Sequence, residues 1–155
     1  MMGTFAADLT KFCKQTAPEA MDAKVRGTLM EIGARLVERS PVGDPSKWTW
    51  GDKLRELGWV TEGYVGGRFR SNWQYGFGAA PAGELFQPGA PSYPGAGETV
   101  AKLTGQIVGT KVAGVHYLVN NLPYAQAIEN GHSTQAPTGI VALTMAEIPG
   151  IWAAA

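Results

Sequence analysis

T-A-P-E-A-M-D-A-K-V-R-G-T-L-M-E-I-G-A-R-L-V-E-R, Thr16 to Arg39, is the stretch whose reading decides the fold. Met21, Val25, Leu29, Ile32, Leu36 and Val37 fall on one stripe at one-turn spacing, while Lys24, Glu31, Arg35 and Glu38 lie off it. That period predicts a long amphipathic helix covering one face of a sheet. Thr16-Ala-Pro-Glu19 has the form of a capping box and predicts the helix start, and Ser40-Pro41 predicts its end. Ahead of it, Phe5, Leu9 and Phe12 recur at the same spacing and predict a first helical run. Cys13, one position past that stripe, reads as an inert core thiol.

Downstream the period changes. Trp73, Tyr75 and Phe77 alternate, predicting a strand over 71–78 with one aromatic face. Val115, Tyr117 and Val119 predict a second strand that runs into Asn120-Asn121. Thr99 to Ile107 is a short helix or a strand, and periodicity leaves the two open. Residues 41–70 hold no sustained period and read as a long loop with a helical turn around Lys53 to Leu57. Loops of that length are usually functional or interfacial, and Trp48, Trp50 and Trp59 are expected to pack on the body or on a neighbouring subunit. Gly63 to Arg68 lacks the G-K-[ST] ending of a phosphate cradle and reads as a turn. Residues 79–97, rich in proline and glycine, read as an irregular arm.

Tyr124 to Gly139, Y-A-Q-A-I-E-N-G-H-S-T-Q-A-P-T-G, predicts a short helix from Pro123, stopped by Gly131 in a left-handed conformation. Ser133 or Thr134 then offers a hydroxyl near the next helix start, and Pro137 suits that helix's first turn. The last helix is expected from Thr138 to Ile148, ended by Pro149-Gly150. The expected architecture is α+β in a single domain, 1–155. A long N-terminal amphipathic helix (1–39) packs on a small antiparallel sheet, with short C-terminal helices (within 98–152) and long irregular loops.

Composition narrows the function. The 155 residues carry 13 basic and 13 acidic side chains, so no global field favours nucleic acid or an anionic membrane. Beyond Lys111 the only formal charges are Glu129 and Glu147. An apolar, nearly uncharged surface of that kind is either buried in the fold or covered by a partner. One cysteine excludes an intrachain disulfide and a cysteine-rich zinc site, and fits a reducing compartment. The N-terminus lacks a basic region followed by an apolar core, and no apolar run approaches the ~20 residues of a membrane span, so neither a cleaved signal nor a span is expected.

Glu129 and His132 stand three residues apart, as an acid/base pair might be cast, but no third orienting group accompanies them and no G-x-S-x-G or H-E-x-x-H pattern occurs. The favoured reading is structural: both hydrogen-bond the backbone of the turn Asn130 to Gln135 and fix the angle between two helices. His116 with His132 is too thin a set for a metal, and His116 is expected to be structural. Arg68 and Arg70 beside Trp73 suggest nucleic acid by charge and stacking, weighed against arginines that pair with carboxylates or a neighbour. No catalytic residue, cofactor or metal is expected.

The ordered set Ser40-Pro41-Val42-Gly43, Gly67-Arg68, Ser71-Asn72-Trp73, Tyr124-Ala125, Ile128-Glu129, Gly131-His132-Ser133, Gln135-Ala136-Pro137 and Gly139 resembles the tail-completion (neck, head–tail joining) proteins of tailed bacteriophages. Those proteins commonly show S-P-V-D-T-G after a long first helix, an S-W strand start and a late Y-A-x-x-x-E-x-G block. Here Gly43-Asp44-Pro45 replaces the usual Asp-Thr-Gly, and the loop to Arg68 is longer. The resemblance implies a virion structural protein, not an enzyme, assembled in the host cytoplasm and located in the neck or tail. It implies a homo-oligomeric ring, typically a hexamer, between the head–tail connector and tail proteins, with genomic DNA passing through the lumen without sequence-specific binding. A tail-terminator ring is the nearest alternative; a nucleic-acid-binding module and a small enzyme are more distant. The expected interface residues are Trp48, Trp50, Trp59, Arg68, Arg70, Tyr124, Gln126, Glu129, His132, Ser133, Thr134, Gln135 and Pro137, with the 79–97 arm laid over a neighbouring subunit.

Overall fold

The computed structural model describes residues 2–44, 53, 56, 65–88 and 90–155. Helix α1 (Met2–Lys11) passes through a π-helical turn (Phe12–Thr16) directly into α2 (Ala17–Glu38). The predicted capping box does not form. Thr16 is itself helical, at φ −62° and ψ −46°, and its side chain caps nothing. Pro18 supplies the reason for the π turn: its ring lacks an N–H and crowds the carbonyl four residues back, and a widened turn accommodates it without breaking the helix. The Ala17 N–H reaches back to the Phe12 carbonyl.

The helix has two unlike halves. Leu36 and Val37 are buried and Leu29, Met30 and Ile32 pack on the core, whereas Phe5, Leu9, Phe12 and Met21 are all exposed. Cys13 is exposed too, against the expectation of a core thiol. The apolar period therefore continues past the end of the body that could bury it.

A short turn of helix, α3 (Arg68–Ser71), leads into β1 (Trp73–Phe77), so regular strand begins at Trp73 and not at Ser71. Helix α4 (Ala96–Val108) settles the stretch that periodicity left open: Glu98 accepts the Gly95 N–H at 2.8 Å and Thr99 Oγ1 donates to the Gly95 carbonyl at 2.9 Å. Strand β2 (His116–Asn120) pairs antiparallel with β1, from Trp73 opposite Asn120 to Phe77 opposite His116. Two strands alone are marginal in water, and helices must cover them. Helix α5 (Ala125–Glu129) and α6 (Val141–Ala154) complete the chain. The fold is α+β, as expected, but α2 packs chiefly along α4 and α6 and meets the sheet at Gly33, beside Leu118.

Residues 79–88 and 90–95 are irregular, yet the part from Pro81 to Phe86 does not reach away from the body. Gln74 Nε2 donates to the Gly83 carbonyl at 2.9 Å, Asn72 Oδ1 accepts the Leu85 N–H at 2.8 Å, and Asn121 Nδ2 donates to the Pro81 and Gly83 carbonyls. Arg68 forms an ion pair with Glu84. Helix formation from Ala96 ends the segment two residues before the expected boundary.

The core joins Leu36, Val37, Phe69, Trp73, Tyr75, Leu103, Ile107, Leu122, Ala136 and Ile140. At its centre the buried Trp73 Nε1 donates to Ser40 Oγ at 2.8 Å, and Ser40 Oγ in turn donates to the Leu36 carbonyl at 2.7 Å. Replacing Ser40 by alanine orphans the indole N–H inside the core and is expected to cost about 1–3 kcal/mol. Trp73→Phe in the Ser40→Ala background removes the orphan, so urea denaturation should show the double variant losing less than the sum of the singles.

Candidate functional site

The widely separated segments that carry the resemblance meet in space. Pro41, Gly43 and Asp44 form one wall of a 570 Å³ cleft together with Gly67, Arg68 and Phe69, and Tyr124, Ile128 and His132 to Gln135 form the other. Two side-chain amide bonds fasten the walls: Gln135 Oε1 accepts the Val42 N–H at 3.2 Å and Gln135 Nε2 donates to the Val42 carbonyl at 3.0 Å. A Cβ added to Gly66 would collide with the Gly43 carbonyl, so only glycine allows these two backbones to approach.

Of the residues expected at an interface, the cleft gathers Arg68, Tyr124, His132, Ser133, Thr134 and Gln135. Arg68 is not a free cation for phosphate. It pairs with Glu84 and donates from Nε to the Phe86 carbonyl at 3.0 Å, the carboxylate pairing weighed above. Arg70 lies behind the wall, with Nη2 at 3.3 Å from the Ser40 carbonyl. Gln126 and Glu129 border a separate 390 Å³ recess beside Asn120 and Val141, and Pro137 is exposed outside both. Trp48, Trp50 and Trp59 lie outside the described residues. Asp44 and Phe69 belong to the cleft but carry no pattern in the sequence that points there.

Glu129 holds two helices together, though not through the turn Asn130 to Gln135. Its Oε2 accepts the N–H groups of Ile140 at 2.8 Å and Val141 at 2.9 Å, and its Oε1 that of Ala142 at 2.8 Å. These are the orphan donors at the start of α6, and a carboxylate there also meets the positive end of the helix dipole. Neither Ser133 nor Thr134 caps α6, and Pro137 does not open it; the helix begins at Val141 where the carboxylate reaches it. Gly139, at φ +80°, has no room for a side chain, since a Cβ would stand 2.7 Å from Glu129 Oε1. Helix α6 also runs through Pro149-Gly150 to Ala154 instead of stopping, with Ile151 buried beyond the proline. The free energy of seating Ile151 offsets the missing Pro149 hydrogen bond.

Partial burial pushes the Glu129 carboxyl up, but the three backbone donors outweigh it and leave it below the ordinary 4.5. With both oxygens committed to amides, Glu129 is not free to work with His132. His116 is structural: Nδ1 is 2.8 Å from the Tyr75 hydroxyl and Nε2 is 2.8 Å from the Val112 carbonyl. The carbonyl can only accept, so Nε2 carries the proton and the tyrosine donates to Nδ1. Among the described residues no cluster of histidine, cysteine, aspartate or glutamate is suited to a metal, and no helix is long and apolar enough to cross a membrane.

Compared with known proteins, the chain matches no family model, no curated protein and no solved structure. The functional reading therefore rests on its own residues and geometry.

Glu129→Ala should cost about 1–3 kcal/mol by stripping the α6 cap, and Glu129→Gln less, because an amide oxygen still accepts. A depressed folded pKa means the contribution is fully present above pH 4.5 and is lost as the pH falls through the lower folded value. Arg39 and Arg35 hold Glu147 below 4.5 as well, so the wild type should lose stability in that window from both groups. Denaturation series across acid pH should show a shallower fall for Glu129→Gln.

Proposed function

We propose that this chain is a tail-completion subunit of a tailed-bacteriophage neck, a virion structural protein that assembles as a ring between the capsid connector and the tail. The observation that carries the reading is the convergence on one cleft of the segments around Pro41 to Gly43, Gly67-Arg68 and Tyr124 to Gln135. Residues that are far apart in the chain but recur together in a family are expected to share one task, and a concave surface with mixed polar and apolar walls suits a neighbour's segment. Two of the charged side chains expected at the interface are committed within the chain: the Glu129 carboxylate caps α6 and Arg68 pairs with Glu84.

Equal numbers of acidic and basic side chains also support the reading, because a strongly cationic lumen would gain affinity for DNA through counterion release and retard its passage. The ring would be heterologous, each subunit presenting different surfaces to its two neighbours, and a closing rotation limits its size.

Thr134 is exposed at the cleft and Gln126 is exposed beside it, so Thr134→Glu and Gln126→Glu should leave unfolding within about 0.5 kcal/mol of wild type. Light scattering on the protein alone and with the purified head connector should find a ring-sized species for wild type and its loss for Thr134→Glu. Normal assembly of Thr134→Glu would remove the cleft from the interface, and a wild-type monomer in both samples would defeat the ring.

A further inference from the structure

The outer face of α6 is inverted. Every exposed residue of this helix is apolar, with Val141 at 38%, Met145 at 61% and Trp152 at 38% exposure, while its polar Thr144 is buried. Its one charged side chain, Glu147, is engaged by Arg35 of α2 and by Arg39 just past its end. A surface helix ordinarily turns its charged side to water, and a helix apolar all round belongs in an interior. A face of this kind suits a covered surface better than a wet one.

The same chain carries a matching surface that is equally unpartnered. From Thr4 to Ala23 nothing is buried, so the helix runs clear of the body for about 30 Å. Most helical stability in proteins comes from packing an amphipathic face, and among the described residues nothing of the same chain packs on this one. Helical spacing puts Phe5, Leu9 and Phe12 on one stripe, at 72%, 51% and 54% exposure, with Lys11 off it. The projecting half runs on from α2 through the π turn and leaves its stripe exposed, so it does not cover its own α6 face. The α6 terminus is already seated on α2, where Lys24 lies over the Trp152 ring at 5.2 Å.

We infer that the projecting helix of one copy seats its Phe5, Leu9 and Phe12 stripe on the outer face of α6 of the next copy. This rests on the ring reading and names its contact. Two uncharged surfaces present in equal number on one chain satisfy each other without a second protein, and because they differ, the contact is head to tail. Area decides between a lone pair and a ring. A phenylalanine offers roughly 150–250 Å² at most, so the stripe supplies only part of the about 800 Å² per partner that a stable interface needs. In a ring each subunit makes the contact twice, once as donor and once as acceptor, and both exposed surfaces are used.

The test pairs two variants altered only at exposed positions, Phe5→Asp with Phe12→Asp, and Met145→Glu, each checked for an unchanged unfolding transition of the body. By light scattering, each should lose the ring-sized mass of wild type. An equimolar mixture can form one intact contact but cannot close a ring, so it should give no species larger than a pair. A ring that persists in either variant, or a mixture that regains the ring-sized mass, overturns this contact while leaving the ring reading in place. Wild type that is monomeric alone and with the connector overturns the ring reading itself.

Discussion

The grip of the Glu129 carboxylate on the first turn of α6 is the contact on which the rest of the arrangement depends. Three amide donors at 2.8 to 2.9 Å fix where α6 begins. That start sets the phase of the helix, so Thr144 and Ile151 enter the core and Glu147 meets Arg35 and Arg39 near the end of α2. With α2 so held, Ser40 reaches Trp73 and Val42 reaches Gln135. A single capping interaction, expected to contribute about 1–3 kcal/mol, therefore determines how the first and last helices sit around a sheet of only two strands.

Buried polar groups tie the irregular segments down in the same way. Asn72 is fully buried and accepts the Leu85 N–H while donating to the Arg68 carbonyl at 2.7 Å; Asn120 donates to the Phe69 carbonyl at 2.8 Å. Side chains with two donors and an acceptor replace the ladder bonds that a wider sheet would have supplied, and each would be costly to leave unpaired. This is why a segment without regular structure, Pro81 to Leu85, lies against the body.

Much of the fold was legible in the sequence because its signals are local. The period of Leu29, Ile32 and Leu36, the alternation of Trp73, Tyr75 and Phe77, and the left-handed Gly131 each depend on near neighbours. The failures occurred where a distant group overrode a local rule. Thr16 looked like a cap, but continuing the helix through a π turn kept its hydrogen bonds. Pro137 looked like a helix start, but a carboxylate ten or so residues upstream chose Val141. Pro149-Gly150 looked like a stop, but burial of Ile151 carried α6 onward. For the cleft, the motif residues Arg68, Tyr124 and Gln135 were visible as short patterns, whereas Phe69 and Asp44 become part of it only through the folding of the chain.

Amphipathic periods carry information about assembly as well as folding. Phe5, Leu9 and Phe12 read from the sequence as a helical run, and the charge-poor segment after Lys111 as a surface either buried in the fold or covered by a partner. In this chain both patterns outrun the core that the chain can build: the first helix leaves the body with its stripe exposed, and α6 turns apolar residues outward while burying a threonine. Selection for folding alone would have no reason to keep large apolar side chains at these positions, since surface polar residues would serve the monomer as well and lower its tendency to aggregate. In the ring proposed above their placement is accounted for, because the unit that must be stable would contain more than one subunit and the surplus period would mark the surfaces that a single chain leaves unfilled.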